Sequence, residues 1–286
     1  MANDAQHLRI AFFGTPEFAT IILDELEAAG FLPALVVTAP DKPKGRNLVV
    51  TPSPAKVWAT AHGVPVLTPE KLRAEEFVAE LKASACDLFI VAAYGKIIPK
   101  LVLDMPQHGT LNVHPSLLPK FRGPSPIESA ILSNEDHTGV TIIALDEATD
   151  HGPIIAQKEY HAEDWPPKGS ELTQALAHEG GKLLATHIPH WVETHEGVPQ
   201  DHAHATFTKK LTKEDGLIDL EGDALLNYKK IRALDEWPGA YFFIERSGKH
   251  LRIRVTDAVY ANDTLTITRI IPEGKKEMSY ADFLRG

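Results

Sequence analysis

Along the first two hundred positions, short apolar runs of strand length alternate with longer stretches whose apolar residues recur at helical spacing. That alternation predicts a mostly parallel sheet covered by helices. Leu8–Phe13 reads as a buried strand. Gly14–Glu17 reads as the turn into a helix, with Thr15 at the N-cap and Pro16 at the first helical position. After a helix ending near Gly30 come a strand at Leu35–Thr38, a helix capped by Thr51–Pro54 and running to about His62, a short strand at Val64–Val66 and a helix from Glu70 to Lys82. Asp87–Ala93 is continuously apolar, the mark of a strand covered on both faces.

Leu111–His114 is the next strand, and Ser125–Ser133 predicts a helix. Thr138–Leu145 and Gly152–Gln157 predict two strands joined by an Asp-rich loop. Gly169–Glu196 carries Leu172, Leu176, Leu183, Leu184, Ile188 and Val192 at helical spacing, with Pro189 as the point where the helix can break. Residues 197–213 hold few bulky apolar side chains and read as an interdomain linker. Beyond it a helix at Ala224–Ala233 and strands at 240–244, 251–255 and 265–270 suggest a small β-barrel. The expected fold class is therefore α/β: a Rossmann-like N-terminal domain over 1–196, a linker over 197–213, and a smaller C-terminal OB-like β-barrel domain over 214–286.

Composition narrows the function classes. No run of about 18 apolar residues is present and the start lacks a basic-then-apolar signal pattern, so a cytoplasmic protein, and a monomer, is expected. The single cysteine, Cys86, forms no internal disulfide and sits where a small buried residue is expected. A lone Gly14 falls short of the glycine-rich turn that brings a pyrophosphate to a helix start, which argues against a dinucleotide. The formal charge of -10 is uneven: of 29 basic and 39 acidic residues, 14 of each lie from Asp201 onward, so the acidic excess belongs to residues 1–200. The later part is free to meet a phosphate backbone, which the acidic part opposes. His187, His190, His195, His202 and His204 crowd one region, but their spacing matches no usual zinc pattern, and no metal is expected.

Candidate chemistry gathers at the stretch from Leu111 to Pro126. Strand alternation puts Leu111 and Val113 on one face and Asn112 and His114 on the other, so an amide and an imidazole project together. The alternative is an edge strand with a merely hydrogen-bonded His. Pro115 stops the strand, and Ser116-Leu117-Leu118-Pro119 is either a ligand wall or a packed loop. Tyr94, Gly95 and Ile97, just past the apolar 87–93 run, suit a pocket for a flat ring that bonds to backbone groups, or a plain turn. The basic segment Pro40–Asn47, with Lys42, Lys44 and Arg46, follows a strand's carboxyl end and is either a solvated connector or a loop meeting substrate. Arg252 and Arg254 alternate out of an apolar face that is either solvated or turned to a polyanion.

With Asp150 in the sequence Asp-Glu-Ala-Thr-Asp-His-Gly-Pro, these residues supply Asn-x-His, Ser-Leu-Leu-Pro and Asp-x-Gly in order. In that pattern the chain resembles the formyltransferase family that uses 10-formyltetrahydrofolate. The likeness extends through Phe13–Ala19, Thr51–Lys56, Ala93–Pro99, Asn112–Gly123, Lys209–Asp215 and Gly274–Ser279. The last two stretches resemble members that act on a charged tRNA rather than on small molecules. Three departures stand out: Asn47–Val50 is poor in lysine, His151 follows Asp150, and the C-terminal domain is short.

The resemblance implies an enzyme that moves the formyl group of 10-formyltetrahydrofolate to the amine of methionyl-initiator tRNA, without a metal. Such a transfer passes through a tetrahedral oxyanion and needs donors for that oxygen and an acceptor for the amine's proton. Asn112 and His114 are the expected donors. Asp150 would favour the imidazolium and orient a water for the proton. The folate would lie against Tyr94, Gly95, Ile97 and Ser116–Pro119. The tRNA would meet Lys42, Arg46, Lys209, Lys210 and Lys213. Two rivals remain at this point: a relative that formylates a sugar amine or a purine precursor, and a folate or RNA carrier in which the three polar residues are structural.

Overall fold

Each short apolar run becomes a strand, and each helically spaced stretch a helix on one of two faces. In chain order the elements are β1 (Ile10–Gly14), α1 (Glu17–Ala28), β2 (Leu35–Val37), β3 (Lys42–Lys44), β4 (Val49–Thr51), α2 (Pro54–Ala61), β5 (Val66–Leu67), α3 (Glu75–Ala83), β6 (Leu88–Ala92), α4 (Lys100–Leu103) and β7 (Thr110–His114). They continue as α5 (Pro126–Leu132), β8 (Thr138–Ala144), β9 (Ile154–Tyr160), α6 (Gly169–Thr194), α7 (Ala224–Ala233), β10 (Tyr241–Arg246), β11 (Lys249–Ala261), β12 (Thr264–Pro272), β13 (Met278–Ser279) and α8 (Tyr280–Arg285). This computed structural model describes residues 8–44, 48–133, 135–246 and 248–285.

Two units emerge from the packing. The first runs through Pro124, then Gly139–Tyr160 and Gln174–Phe207, and the second holds Ser125–Thr138, His161–Thr173 and the chain from Thr208. The first unit is built on a seven-stranded sheet in the order β5-β2-β1-β6-β7-β8-β9. The strands from β5 to β7 pair in parallel, and β8 turns antiparallel to β7. Alternate side chains of β1 and β6 enter two separate cores. Ile10, Phe12, Leu88 and Ile90 pack with α1, α2 and α6, while Ala11, Phe13, Phe89 and Val91 pack with α3 and α4. That double burial is why the strands read as unbroken apolar runs. From β1 the chain moves to β2 on one side, and β6 leads to β7 on the other, so the crevice beyond the carboxyl ends of β1 and β6 is the switch point where ligands of open α/β sheets bind.

Several local expectations change. Thr15 does not cap α1: Pro16 holds the N-cap position, and the Thr15 hydroxyl donates to the Tyr94 carbonyl at 3.3 Å. Ser53 does cap α2, accepting from the Lys56 N–H at 3.1 Å. The basic segment after β2 is an antiparallel hairpin of β3 and β4 rather than a plain loop. Helix α6 runs unbroken through Pro189. Leu184, Ile188 and Trp191 are buried on both sides of the proline, and the Trp191 indole N–H donates to the His108 carbonyl at 2.7 Å, so packing holds the axis across the lost backbone bond.

The segment expected as a linker is ordered through Phe207 within the first unit. The Arg122 N–H donates to the Thr206 carbonyl at 2.9 Å, and Arg122 bridges Phe207 in a parallel pair. In the second unit, β10-β11-β12-β13 form an antiparallel sheet, with Leu217 bridged in parallel to Tyr241 on the β10 side. Its core joins Ile218, Ile231, Phe242, Ile253, Val255, Ile270 and Phe283. Helix α5 belongs to this unit, because Lys229 on α7 donates to the Ser133 carbonyl at 2.5 Å and α5 packs against α7.

Candidate active site

Strand β7 delivers two polar side chains to its carboxyl end. Leu111 and Val113 point into the core beside α1 and α6, and the period of two sends Asn112 and His114 to the opposite face. Asn112 is 8 % exposed, and its amide has no hydrogen-bond partner among the described residues. A side-chain amide carries two N–H donors, so Asn112 can donate to a ligand placed at this end of the strand. His114, 4 % exposed, is bound through Nε2 to the Phe121 carbonyl at 3.0 Å. A carbonyl only accepts, so Nε2 carries the hydrogen. Nδ1 is then the nitrogen that faces Asp150, whose Oδ2 lies 3.6 Å away.

The three expected residues are therefore brought together, but with a division of labour the sequence did not show. His114 offers Nδ1 alone, because Nε2 is taken by the backbone. Asp150 lies in the connection from β8 to β9 with φ +47°, a left-handed conformation that must be held by its surroundings. The Gly123 N–H donates to its carboxylate at 2.8 Å, and the Gln200 amide donates to its carbonyl at 2.9 Å. Gly152 leaves room for the crossing chain, since a Cβ there would lie 1.8 Å from the Ala144 carbonyl oxygen.

The Ser116–Pro119 turn is pinned from behind. The Thr141 hydroxyl donates to the Ser116 carbonyl at 2.6 Å and accepts from the Leu118 N–H at 3.2 Å, and the Gln157 amide donates to the Leu118 carbonyl at 2.9 Å. The Ser116 hydroxyl is fully buried and donates to the Lys120 carbonyl at 2.7 Å, and Leu118 is buried too. The Ser116 and Leu118 side chains hold the turn, while Leu117 and Pro119 are half-buried.

At the end of β6, Ala93 and Gly95 both take positive φ, +48° and +79°, and the chain between them turns Tyr94 into the core against Phe13. The Tyr94 hydroxyl is buried with no hydrogen-bond partner among the described residues, and burial pushes its pKa up to about 12. Tyr94 thus supports the turn, and Ile97, 92 % exposed, is the apolar side chain left bare beside it.

Lys42, Lys209, Lys210 and Lys213 are exposed, with Lys209 paired to Asp215 at 2.5 Å. Arg46 lies outside the described residues. Arg252 stacks over the Tyr241 ring at 3.8 Å, and Arg254 donates to the Asp235 carbonyl at 2.5 Å, so neither is a bare surface cation. Cys86 is buried beside Phe89 in an apolar core, and burial raises its thiol pKa. His195 pairs with His108 at 3.0 Å, and His202 stacks on His151. Among the described residues the one three-ligand grouping is Asp24, Glu27 and His62, which the sequence did not suggest. It is an exposed ion-pair cluster: His62 lies 3.2 Å from Glu27, and the Trp58 indole donates to Asp24 at 2.6 Å.

Sequence reading also missed Arg122 and Gln200, both buried. A polar residue in a polar stretch carries no signal that its side chain turns inward.

Comparison with known proteins gives a consistent answer. A model described as formyl transferase matches residues 8–188, and one described as formyl transferase, C-terminal domain, matches residues 210–264. A methionyl-tRNA formyltransferase of Chloroflexus aggregans is 43% identical, covering 98% of this chain and 97% of the relative. Among solved structures, methionyl-tRNA formyltransferase from Clostridium thermocellum has a TM-score of 0.60 at 18% identity, covering 93% of this chain and 98% of that one. HypX from Aquifex aeolicus in complex with tetrahydrofolic acid has a TM-score of 0.68 at 17% identity, covering 97% of this chain and 47% of that one. Both structural likenesses speak to the fold.

Proposed function

This chain belongs to the formyl transferase family, and we propose that it transfers the formyl group of 10-formyltetrahydrofolate to the amine of methionyl-initiator tRNA. The observation that carries the reading is the meeting of Asn112, His114 and Asp150 at the carboxyl end of β7, beside the sheet's switch point. A relative that acts on methionyl-tRNA shares nearly the full length, including the region of the C-terminal domain match.

In the reaction, the amine nitrogen attacks the formyl carbon and a C–N bond forms. The carbonyl oxygen becomes an oxyanion, and collapse breaks the bond from the formyl carbon to N10. The amine loses a proton and N10 gains one. The unpaired Asn112 amide is the donor for the oxyanion. Nδ1 of His114 and the Asp150 carboxylate take up the proton, directly or through one water. No covalent acyl-enzyme is required.

The folate lies against Gly95, Ile97, Leu117 and Pro119, with Tyr94, Ser116 and Leu118 holding those turns in place. The exposure of Ile97 suits a flat apolar ring. Lys42, Arg46, Lys209, Lys210 and Lys213 serve the tRNA phosphates. Among the described residues no helix is long and apolar enough to cross a membrane. Incubation with 10-formyltetrahydrofolate and either charged initiator tRNA or small sugar and purine-precursor amines tests the reading. Formylmethionyl-tRNA is the expected product, and formylation of a small amine alone would overturn it.

A further inference from the structure

Gln200 is 5 % exposed, yet its amide uses every hydrogen-bonding position it has. Its Oε1 accepts from Arg122 Nε at 3.2 Å and from Arg122 Nη2 at 2.6 Å. Its Nε2 donates to the Asp150 carbonyl at 2.9 Å and to the Gly152 carbonyl at 2.7 Å. Arg122, also buried, is the residue between Phe121, whose carbonyl holds His114, and Gly123, whose N–H holds the Asp150 carboxylate. A further Arg122 bond, from Nη2 to His202 Nδ1 at 2.9 Å, ties in the imidazole that stacks on His151.

One side chain therefore joins the two segments that set the distance between His114 and Asp150. We propose that Gln200 is a positioning residue for formyl transfer, holding the Asp150 loop in its left-handed conformation and in register with the Arg122 segment. It reaches no reacting atom and acts only through Asp150. Asp150 would otherwise relax from φ +47°, and its carboxylate would move away from His114 Nδ1. The saturated amide supplies a restraint from two donors and two acceptors at once, so loss of either half lets the loop shift. This inference rests on the reading of the site as a formyl-transfer centre.

The test is Gln200→Glu, which keeps both acceptors for Arg122 but loses both donors to the loop. Formyl transfer to methionyl-tRNA should lose on the order of 10- to 100-fold in kcat, with KM for folate and tRNA within about twofold of the parent. In an Asp150→Asn background the same substitution should cost nothing further, because a group acting only through Asp150 has nothing left to position. A Gln200→Glu protein that keeps parental kcat, or that loses as much again in the Asp150→Asn background, overturns the assignment.

A readout without substrate separates this from the functional reading: the Gly123 amide proton, bonded to Asp150, should shift and exchange faster in Gln200→Glu. An unmoved Gly123 signal overturns the positioning role even if the parent formylates nothing, an inactivity that would overturn the functional reading instead. If Gln200→Glu does not fold, the paired Arg122→Met and Gln200→Met substitution removes cation and acceptor together, leaves no buried charge orphaned, and must show the same kcat loss.

Discussion

His114 and Phe121 are joined side chain to backbone, Nε2 to carbonyl oxygen at 3.0 Å, and that bond decides which imidazole nitrogen is left for chemistry. With Nε2–H committed, Nδ1 is the nitrogen turned toward Asp150, and the ring pairs with the carboxylate when it carries a second proton.

Asn112→Ala, His114→Ala and Asp150→Ala should each lower kcat by roughly 100- to 1000-fold, while equilibrium folate binding changes little. Single-turnover rates at saturating folate and tRNA check this. The double and triple variants should fall scarcely further, because groups acting on one transition state fail together. Near-parental turnover in any single variant removes that residue from the chemistry.

How much of this was legible depended on whether a residue announced itself by pattern or only by partner. The two-faced burial of β1 and β6 was written in continuous apolar runs, and the shared face of Asn112 and His114 in a period of two. Thr15 looked like a cap because local rules favour it, but the turn after β6 offered the Tyr94 carbonyl and tertiary structure prevailed. Pro189 looked like a break because a sequence cannot show that Trp191 anchors the far side of the kink site. Gln200 sat in a stretch too polar to suggest a core, and its role comes from carbonyls about fifty positions away.

Gly152 tests the packing of the same loop. A Cβ would strike the Ala144 carbonyl at 1.8 Å, and backbone on both sides gives no flexible group to yield. Gly152→Ala should cost about 3 kcal/mol in denaturant unfolding and displace Asp150, so kcat should fall as well. Parental stability in this variant would mean the β8 to β9 connection is looser than its packing requires.

Glu128 on α5 gives a pH dependence. Burial first, then the charges of Glu236 and Asp235, raise its pKa above the ordinary 4.5. A carboxyl whose folded pKa is raised holds its proton more tightly in the native state. Its contribution is thus fully present below the unfolded value and lost as pH rises through the folded one. Glu128→Gln should accordingly be more stable than the parent at pH 8, with the advantage shrinking toward pH 4. Chemical denaturation at both pH values reads the difference, and a constant gap would trace it to packing instead of charge.

The lysines at the start of the second unit should not contribute equally to tRNA binding. Lys209 donates to Asp215, whose carboxylate also accepts from the Thr212 N–H at 2.7 Å and is held below the usual carboxylate range mainly by that lysine. Lys210 and Lys213 are exposed, and neither side chain has a hydrogen-bond or ion-pair partner among the described residues. Removing one lysine that neutralises a phosphate should flatten the dependence of log K on log salt by about one. Lys210→Gln and Lys213→Gln should each do so, with kcat on bound tRNA unchanged. Lys209→Gln should weaken binding more than it flattens the slope, because it also frees a carboxylate that repels the phosphates. Filter binding across a salt series distinguishes the two behaviours, and a triple variant with the parental slope would move the tRNA interface away from this segment.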